Sequence, residues 1–215
     1  MSWSLNETAA LAKKAARGAG MSWGMAEEAA FAVRWLASFG LPGPQALAGL
    51  LEQIDGVDAQ DLRVAAISAK LISPSGRMCP LTSGVTICDH AHTLVDADEI
   101  TIYGVIQPLL IVPFVAQMAR QNGHCANVSW GEVAVTVDGN GCCVDRDDAA
   151  LLTAQATQVR IQKVSTMDGS RPRVFRAQME HAFTRVLLGY AHRTYAPGTE
   201  ESRLKGAGAG ASDND

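Results

Sequence analysis

Apolar positions in the first fifty-five residues recur at helical spacing and predict three helices. Ser4 and Glu7 form a capping box: the serine oxygen accepts a free first-turn amide while the glutamate reaches back. An alanine-rich run follows and stops at Gly18 and Gly20. Ser22 is placed to cap a second helix, with Glu27 and Glu28 in early turns where the helix dipole favours negative charge. Phe31, Trp35 and Phe39 then recur every four residues as a bulky apolar stripe. Gly40-Leu41-Pro42 ends that helix, and Pro44 opens a third that carries Leu47, Leu50, Leu51 and Ile54 before Asp55-Gly56.

Beyond this unit the period changes. Leu62 to Ile72 is apolar without deciding between helix and strand, and Ser73-Pro74-Ser75-Gly76 is a loop. Val85 to Cys88 and Glu99 to Gly104 read as strands, and Pro108 to Asn122 as a buried helix with Pro113 near its start. Val133, Val135 and Val137 alternate with polar or small residues, and Asp138-Gly139-Asn140-Gly141 turns the chain back through Cys142 to Val144 as a hairpin. Val159 and Ile161 suggest another half-exposed strand. Phe175, Met179, Phe183, Val186, Leu187 and Tyr190 mark a long amphipathic helix. The predicted class is α+β. A three-helix module (residues 1–56) precedes an α+β domain (62–196), whose mixed, partly antiparallel sheet carries two packed helices; a flexible Gly/Ala-rich tail (197–215) ends the chain.

Composition narrows the function classes. With 47% hydrophobic and 19% charged residues, the 215-residue chain has apolar surface enough for a core. Its net charge of −4 is wrong for a nucleic-acid binder, and the helical module sets only Lys13, Lys14, Arg17 and Arg34 against Glu7, Glu27, Glu28, Glu52 and Asp55. The N-terminus lacks the basic start and apolar run of a secretory leader. The most apolar stretch, Val105 to Ala119, is shorter than the roughly 20 residues a bilayer crossing takes. Five cysteines without a Cys-x-x-Cys pair read as free thiols. The expectation is a cytoplasmic protein with neither membrane nor nucleic-acid partner.

Four clusters carry candidate chemistry. Gly20-Met21-Ser22-Trp23-Gly24 matches the spacing of a hydrolase nucleophile elbow, but that turn must follow a strand, and a helix end precedes it here. A helix cap is the plainer reading, with Ser22 retained as a substrate-binding candidate. In Cys88-Asp89-His90-Ala91-His92, a strand would set Cys88, His90 and His92 on one face, able to hold zinc or another divalent metal, with Asp89 as orienting or catalytic carboxylate. An exposed polar turn is the alternative. Arg171, Arg173 and Arg176 crowd the start of the last helix, where the dipole disfavours cations; an anionic ligand would explain Arg171 and Arg173, and so would a solvated charge run. Arg193 and Tyr195 close that helix and complete the catalytic candidates. Gly206 to Gly210 alternates glycine with alanine but joins no strand to a helix, so no nucleotide-loop motif is present.

Lys14-Ala-Ala-Arg17-Gly18-Ala-Gly20-Met-Ser22-Trp23-Gly24-Met-Ala-Glu27-Glu28-Ala, with Thr194-Tyr-Ala-Pro197 and the Gly206 to Asp215 ending, resembles a mainly alphaproteobacterial domain-of-unknown-function family, the one numbered 3726. That resemblance implies a bacterial setting and transfers no functional residue. The opening is also similar to the malate/L-lactate dehydrogenases distinct from Rossmann enzymes. There, however, Asp-Ser-His-Gly with a catalytic histidine follows the second helix, where this chain has Gly40-Leu41-Pro42-Gly43. Two readings therefore stand: an enzyme acting on a small polar or anionic metabolite, or a non-catalytic accessory subunit or homo-oligomeric scaffold that uses its tail as an arm.

Overall fold

A computed structural model describes residues 2–94 and 97–195. The chain opens with a short strand, β1 (Ser2–Ser4), and the capping box at Ser4 starts α1 (Leu5–Gly18). Ser22 accepts a hydrogen bond from the Met25 amide and starts α2 (Trp23–Ser38); α3 (Gly43–Ile54) follows Pro42. Ala12, Ala15 and Ala16 on α1 and Ala26, Ala29 and Ala32 on α2 are fully buried, and these small side chains let the two helices lie close. Leu47, Leu50 and Leu51 bury the inner face of α3, each contributing about 1.5–3 kcal/mol of hydrophobic stabilisation.

A 3-10 turn, Ala59–Leu62, follows α3, and the undecided stretch from Leu62 to Ile72 carries a two-residue strand, β2 (Lys70–Leu71). Next comes α4 (Pro80–Asp89), with α5 (Ala91–Leu94) behind it. Val85 to Cys88, expected as a strand, is therefore helical. Pro80 supplies a preset first turn, Gly84 leaves room for the Phe114 ring, and the Thr86 hydroxyl satisfies itself on the Thr82 carbonyl at 2.8 Å. Tertiary packing outweighs the β-branched run.

The sheet follows: β3 (Glu99–Ile106), β4 (Cys125–Trp130), β5 (Val133–Val137), β6 (Cys142–Val144) and β7 (Gln155–Val164). Its order is β2-β3-β7-β4-β5-β6, parallel between β2 and β3 and antiparallel elsewhere. A 3-10 turn, Pro108–Ile111, leads into α6 (Val112–Asn122), and a short α7 (Asp148–Leu151) precedes β7. The α6 helix packs on β4 and β5 with one side and on α2 and α4 with others, which explains why Val112, Phe114, Val115 and Ala119 are all buried. The valine hairpin forms as the alternation predicts, and so does the α+β class.

The last helix starts later than its apolar stripe suggests. Residues 176–178 form β8 (Arg176–Gln178), paired antiparallel with β1, and α8 (His181–His192) begins beyond Glu180. Phe175 stands 84% exposed on the extended chain. Its partner strand lies more than 170 residues away, so no local period could announce it. Buried apolar side chains form one cluster from Leu11 in α1 to Ala191 in α8. The Tyr190 hydroxyl donates to the Leu51 carbonyl at 3.1 Å, tying α8 to α3.

Gly104 governs the sheet. Before it, Ile100 and Ile102 pair with Ile161 and Val159 in the core; beyond it, Val105 and Ile106 are both buried, opposite Ala156 and Gln155. Its φ is +66°, and a side chain there would run into the Gly76 carbonyl. Gly104→Ala is expected to cost about 3 kcal/mol or more in urea unfolding. Gly189→Ala, whose added methyl meets open space in α8, is expected to be neutral or to stabilise by about 0.5–1 kcal/mol.

Candidate functional site

Residues 171–178 form an extended strap across the molecule. The Arg171 amide donates to the Cys142 carbonyl in β6 and the Val174 amide to the Ser38 carbonyl at the end of α2, both at 2.7 Å; β8 then completes the strap against β1. Arg171, Arg173 and Arg176 thus precede α8 rather than occupying its first turn, so the expected clash of cations with the helix dipole does not arise. Glu180, the N-cap residue, stands in that place.

Each arginine is oriented by specific acceptors. Arg171 donates through Nε to the Phe39 carbonyl at 3.1 Å, where the negative end of α2 favours a cation, and through Nη1 to Asp148 at 3.0 Å. Arg173 donates to the Asn140 carbonyl at 2.8 Å and lies over the Phe39 ring. Arg176 grips Ser2 through Nε on the hydroxyl (2.7 Å) and Nη2 on the carbonyl (2.9 Å). Its Nη1 has no hydrogen bond within the described residues.

A cleft of about 450 Å3 opens between this strap, the start of α3 and α7. Leu41, Pro42, Leu152 and Val174 supply apolar walls; Gln45, Asp148, Arg176, Gln178 and Glu180 supply the polar groups. The Gln45 Oε1 atom is buried with no hydrogen-bond partner, an acceptor left unsatisfied inside the cleft wall. The Glu180 carboxylate makes no ion pair or hydrogen bond among the described residues, whereas that of Asp148 is taken by Arg171. Cation, free carboxylate and unsatisfied amide therefore line one hollow of metabolite size.

The other candidates stand elsewhere. Ser22 caps α2 and borders a smaller, mostly apolar hollow of about 190 Å3 with Met21, Met25 and Cys79. Arg193 pairs with both oxygens of Asp55, at 2.8 and 2.9 Å, over the Tyr190 ring; Tyr195 is exposed and touches His192 edge-on. Because α4 is helical, the shared face expected of Cys88, His90 and His92 does not form. Cys88 turns inward and donates to the Phe114 carbonyl at 3.2 Å, His90 meets the Thr86 carbonyl through Nδ1, and His92 is exposed on α5. Asp89 is exposed at the end of α4 and, with burial, helps raise the Glu28 carboxyl above its usual range. Among the described residues, no group of three or more His, Cys, Asp or Glu side chains is placed to hold a metal ion. The tail, residues 197–215, lies outside the described residues, and with it the proposed interaction arm.

Of the predicted substrate-binding residues, Arg171 reaches the cleft only through its bond to Asp148, and Arg173 and Ser22 do not line it. Sequence reasoning named Arg176 only within the arginine run and missed Gln45, Asp148, Gln178 and Glu180 as its neighbours. Their only local signal was the crowding of arginines near 171. Residues 3–79 match the family model described as "Protein of unknown function (DUF3726)". This is the family named for the resemblance; the matched stretch takes in the motif at residues 14–29 but neither 194–197 nor 206–215, and runs from β1 to the residue before α4, including the α3 side of the cleft. No curated protein matches the chain. No helix among the described residues is long and apolar enough to cross a membrane.

Two outcomes follow from the groups around these sites. Burial pushes the Cys88 and Cys142 thiols up to about 12 and raises that of Cys79; at Cys88, the Asp89 and Glu28 charges add to the effect. Since the thiolate is the reactive form, Ellman's reagent on the native protein at mildly alkaline pH is expected to spare these three and label Cys125 and Cys143 first. Hydrogen bonds from Arg193 hold the Asp55 carboxyl below its ordinary range. A depressed carboxylate stabilises the fold above its unfolded pKa and loses that contribution as pH falls through the folded one. The urea midpoint of Asp55→Asn is therefore expected below that of wild type at neutral pH, the gap closing in acid.

Proposed function

We propose that the protein binds a small polar metabolite carrying an anionic group, in the cleft between the strap, α3 and α7. The supporting observation is the meeting of a partly unsatisfied Arg176 guanidinium, the free Glu180 carboxylate and the orphaned Gln45 oxygen in one hollow of about 450 Å3. Arg176, already oriented by Ser2, would receive a carboxylate or phosphate through Nη1, and pre-orientation lowers the entropy lost on binding. Gln45 and Glu180 both accept hydrogen bonds, so they suit a hydroxyl or ammonium group on the same ligand. Together these groups favour an α-hydroxy or α-amino acid over a simple anion. In the enzyme reading, acid–base duty falls to Glu180, since Arg171 occupies Asp148.

Isothermal titration of the full chain with L-lactate, L-malate, L-serine and L-glutamate tests this reading. Saturable binding of at least one is expected, with Arg176→Ala costing about 1.5–3 kcal/mol as a charged hydrogen bond is lost. Gln45→Leu is expected to weaken binding by a smaller factor, and Arg146→Ala, at the surface pair with Glu132, to leave it unchanged. No heat from any of the four, or equal affinity in wild type and Arg176→Ala, would overturn it.

A further inference from the structure

The other side of the strap carries a second site of different chemistry. Alternate residues of an extended chain point to opposite sides, and Arg173 and Phe175 face away from the cleft that Arg176 and Gln178 line. They border a hollow of about 280 Å3 whose far wall is Phe31, Arg34 and Trp35 on α2. Phe31 and Trp35 also form one wall of an adjoining hollow of about 390 Å3, closed by Gln117 and Arg120 on α6 and by Gly139 in the hairpin turn. The two hollows share Phe31 and Trp35, so this aromatic pair forms a ridge between them, with Arg34 and Arg173 on one side and Arg120 on the other; together they are treated as one groove.

The charge of this groove is opposite to that of the protein. The chain carries −4, yet no Asp or Glu stands among the described residues lining either hollow, while Arg34, Arg120 and Arg173 do. The nearest turn contributes Asp138, but its Oδ1 is used by the Asn140 and Gly141 amides. Arg34 and Arg120 form no hydrogen bond or ion pair among the described residues, so their donors are available to a ligand. Arg173 is held in place by the Asn140 carbonyl and the Phe39 ring. The ridge is likewise braced: Phe31 meets Phe114 edge-on at 5.6 Å and Trp35 leans on Phe39 at 4.7 Å, while Phe175 remains 84% exposed.

Residues four apart on a helix stand side by side, so Phe31 and Trp35 present a ridge with about the span of a planar ring system. Aromatic faces bind rings by stacking, and guanidinium forks bind phosphates in pairs. From these two features together we infer that the groove is a site for a nucleoside phosphate: its base lies on the Trp35–Phe31–Phe175 surface and its phosphates reach Arg34, Arg120 and Arg173. The volume of each hollow suits a small ligand rather than a long polymer. The inference is independent of the proposed cleft function, which uses other side chains.

Titration of the full chain with ATP, adenosine and inorganic tripolyphosphate, read by calorimetry and by tryptophan emission, tests it. ATP is expected to bind saturably and quench tryptophan emission, with adenosine and tripolyphosphate each weaker by about tenfold or more. Arg34→Ala and Arg120→Ala are each expected to weaken ATP about five- to tenfold with an unchanged circular dichroism spectrum. Trp35→Phe should keep binding and lose part of the quenching, and Arg146→Ala, at the surface pair with Glu132, should leave ATP affinity as in wild type. Four results would overturn the inference: no ATP binding at millimolar concentration, tripolyphosphate as tight as ATP, Arg34→Ala and Arg120→Ala both indistinguishable from wild type, or a single-stranded RNA oligonucleotide binding well ahead of ATP.

Discussion

Antiparallel pairing of Ser2–Ser4 with Arg176–Gln178 joins the start of the described chain to the strand before α8, and the placement of both candidate sites depends on it. The strand is only three residues long, too little to persist alone. It holds because α1 and α8, which continue from the paired strands, pack against each other. At Gly18 the two backbones approach so closely that any side chain would strike the Tyr190 carbonyl. Tyr190 then reaches α3, and Arg193 closes on Asp55. A strap fixed at both ends cannot shift without disturbing this packing, so the arginines along it are held in register.

That rigidity accounts for how one short segment serves two hollows of unlike chemistry. On one side, Arg176 meets a free carboxylate and an unsatisfied amide, a mixed lining suited to a ligand with both acceptor and donor groups. On the other, Arg173 joins Arg34 and Arg120 beside an aromatic ridge that no lining carboxylate neutralises. The alternation of an extended strand separates them. Net charge is a poor guide here, because −4 spread over the surface coexists with a local cationic groove, and at physiological salt screening confines each field to about 8 Å.

Elements whose causes are local were legible in the sequence. The capping box at Ser4, the Ser22 cap, the Gly40-Leu41-Pro42 stop and the valine hairpin each arise within a few residues, and each stands as read. Two elements were misjudged for a shared reason. Val85 to Cys88 is helical because Gly84 admits Phe114 from α6, and Phe175 to Gln178 is extended because β1 pairs with part of it. Both causes sit on distant segments that a local period does not register. The cysteine–histidine cluster failed as a shared ligand face for the same cause, since the face existed only on a strand.

The candidate site was legible in one respect. Arginines crowded near 171 are conspicuous, and both hollows lie along them. Their neighbours were not readable: Gln45 comes from α3, Asp148 from α7, Arg34 from α2 and Arg120 from α6. Local hydrogen bonding and hydrophobic period thus determined the class of fold, the caps and most of the helices. Which side chains share a hollow, and which charges find partners, was decided by long-range closure of the chain, because burial and ion pairing depend on distance in space and not on separation in sequence.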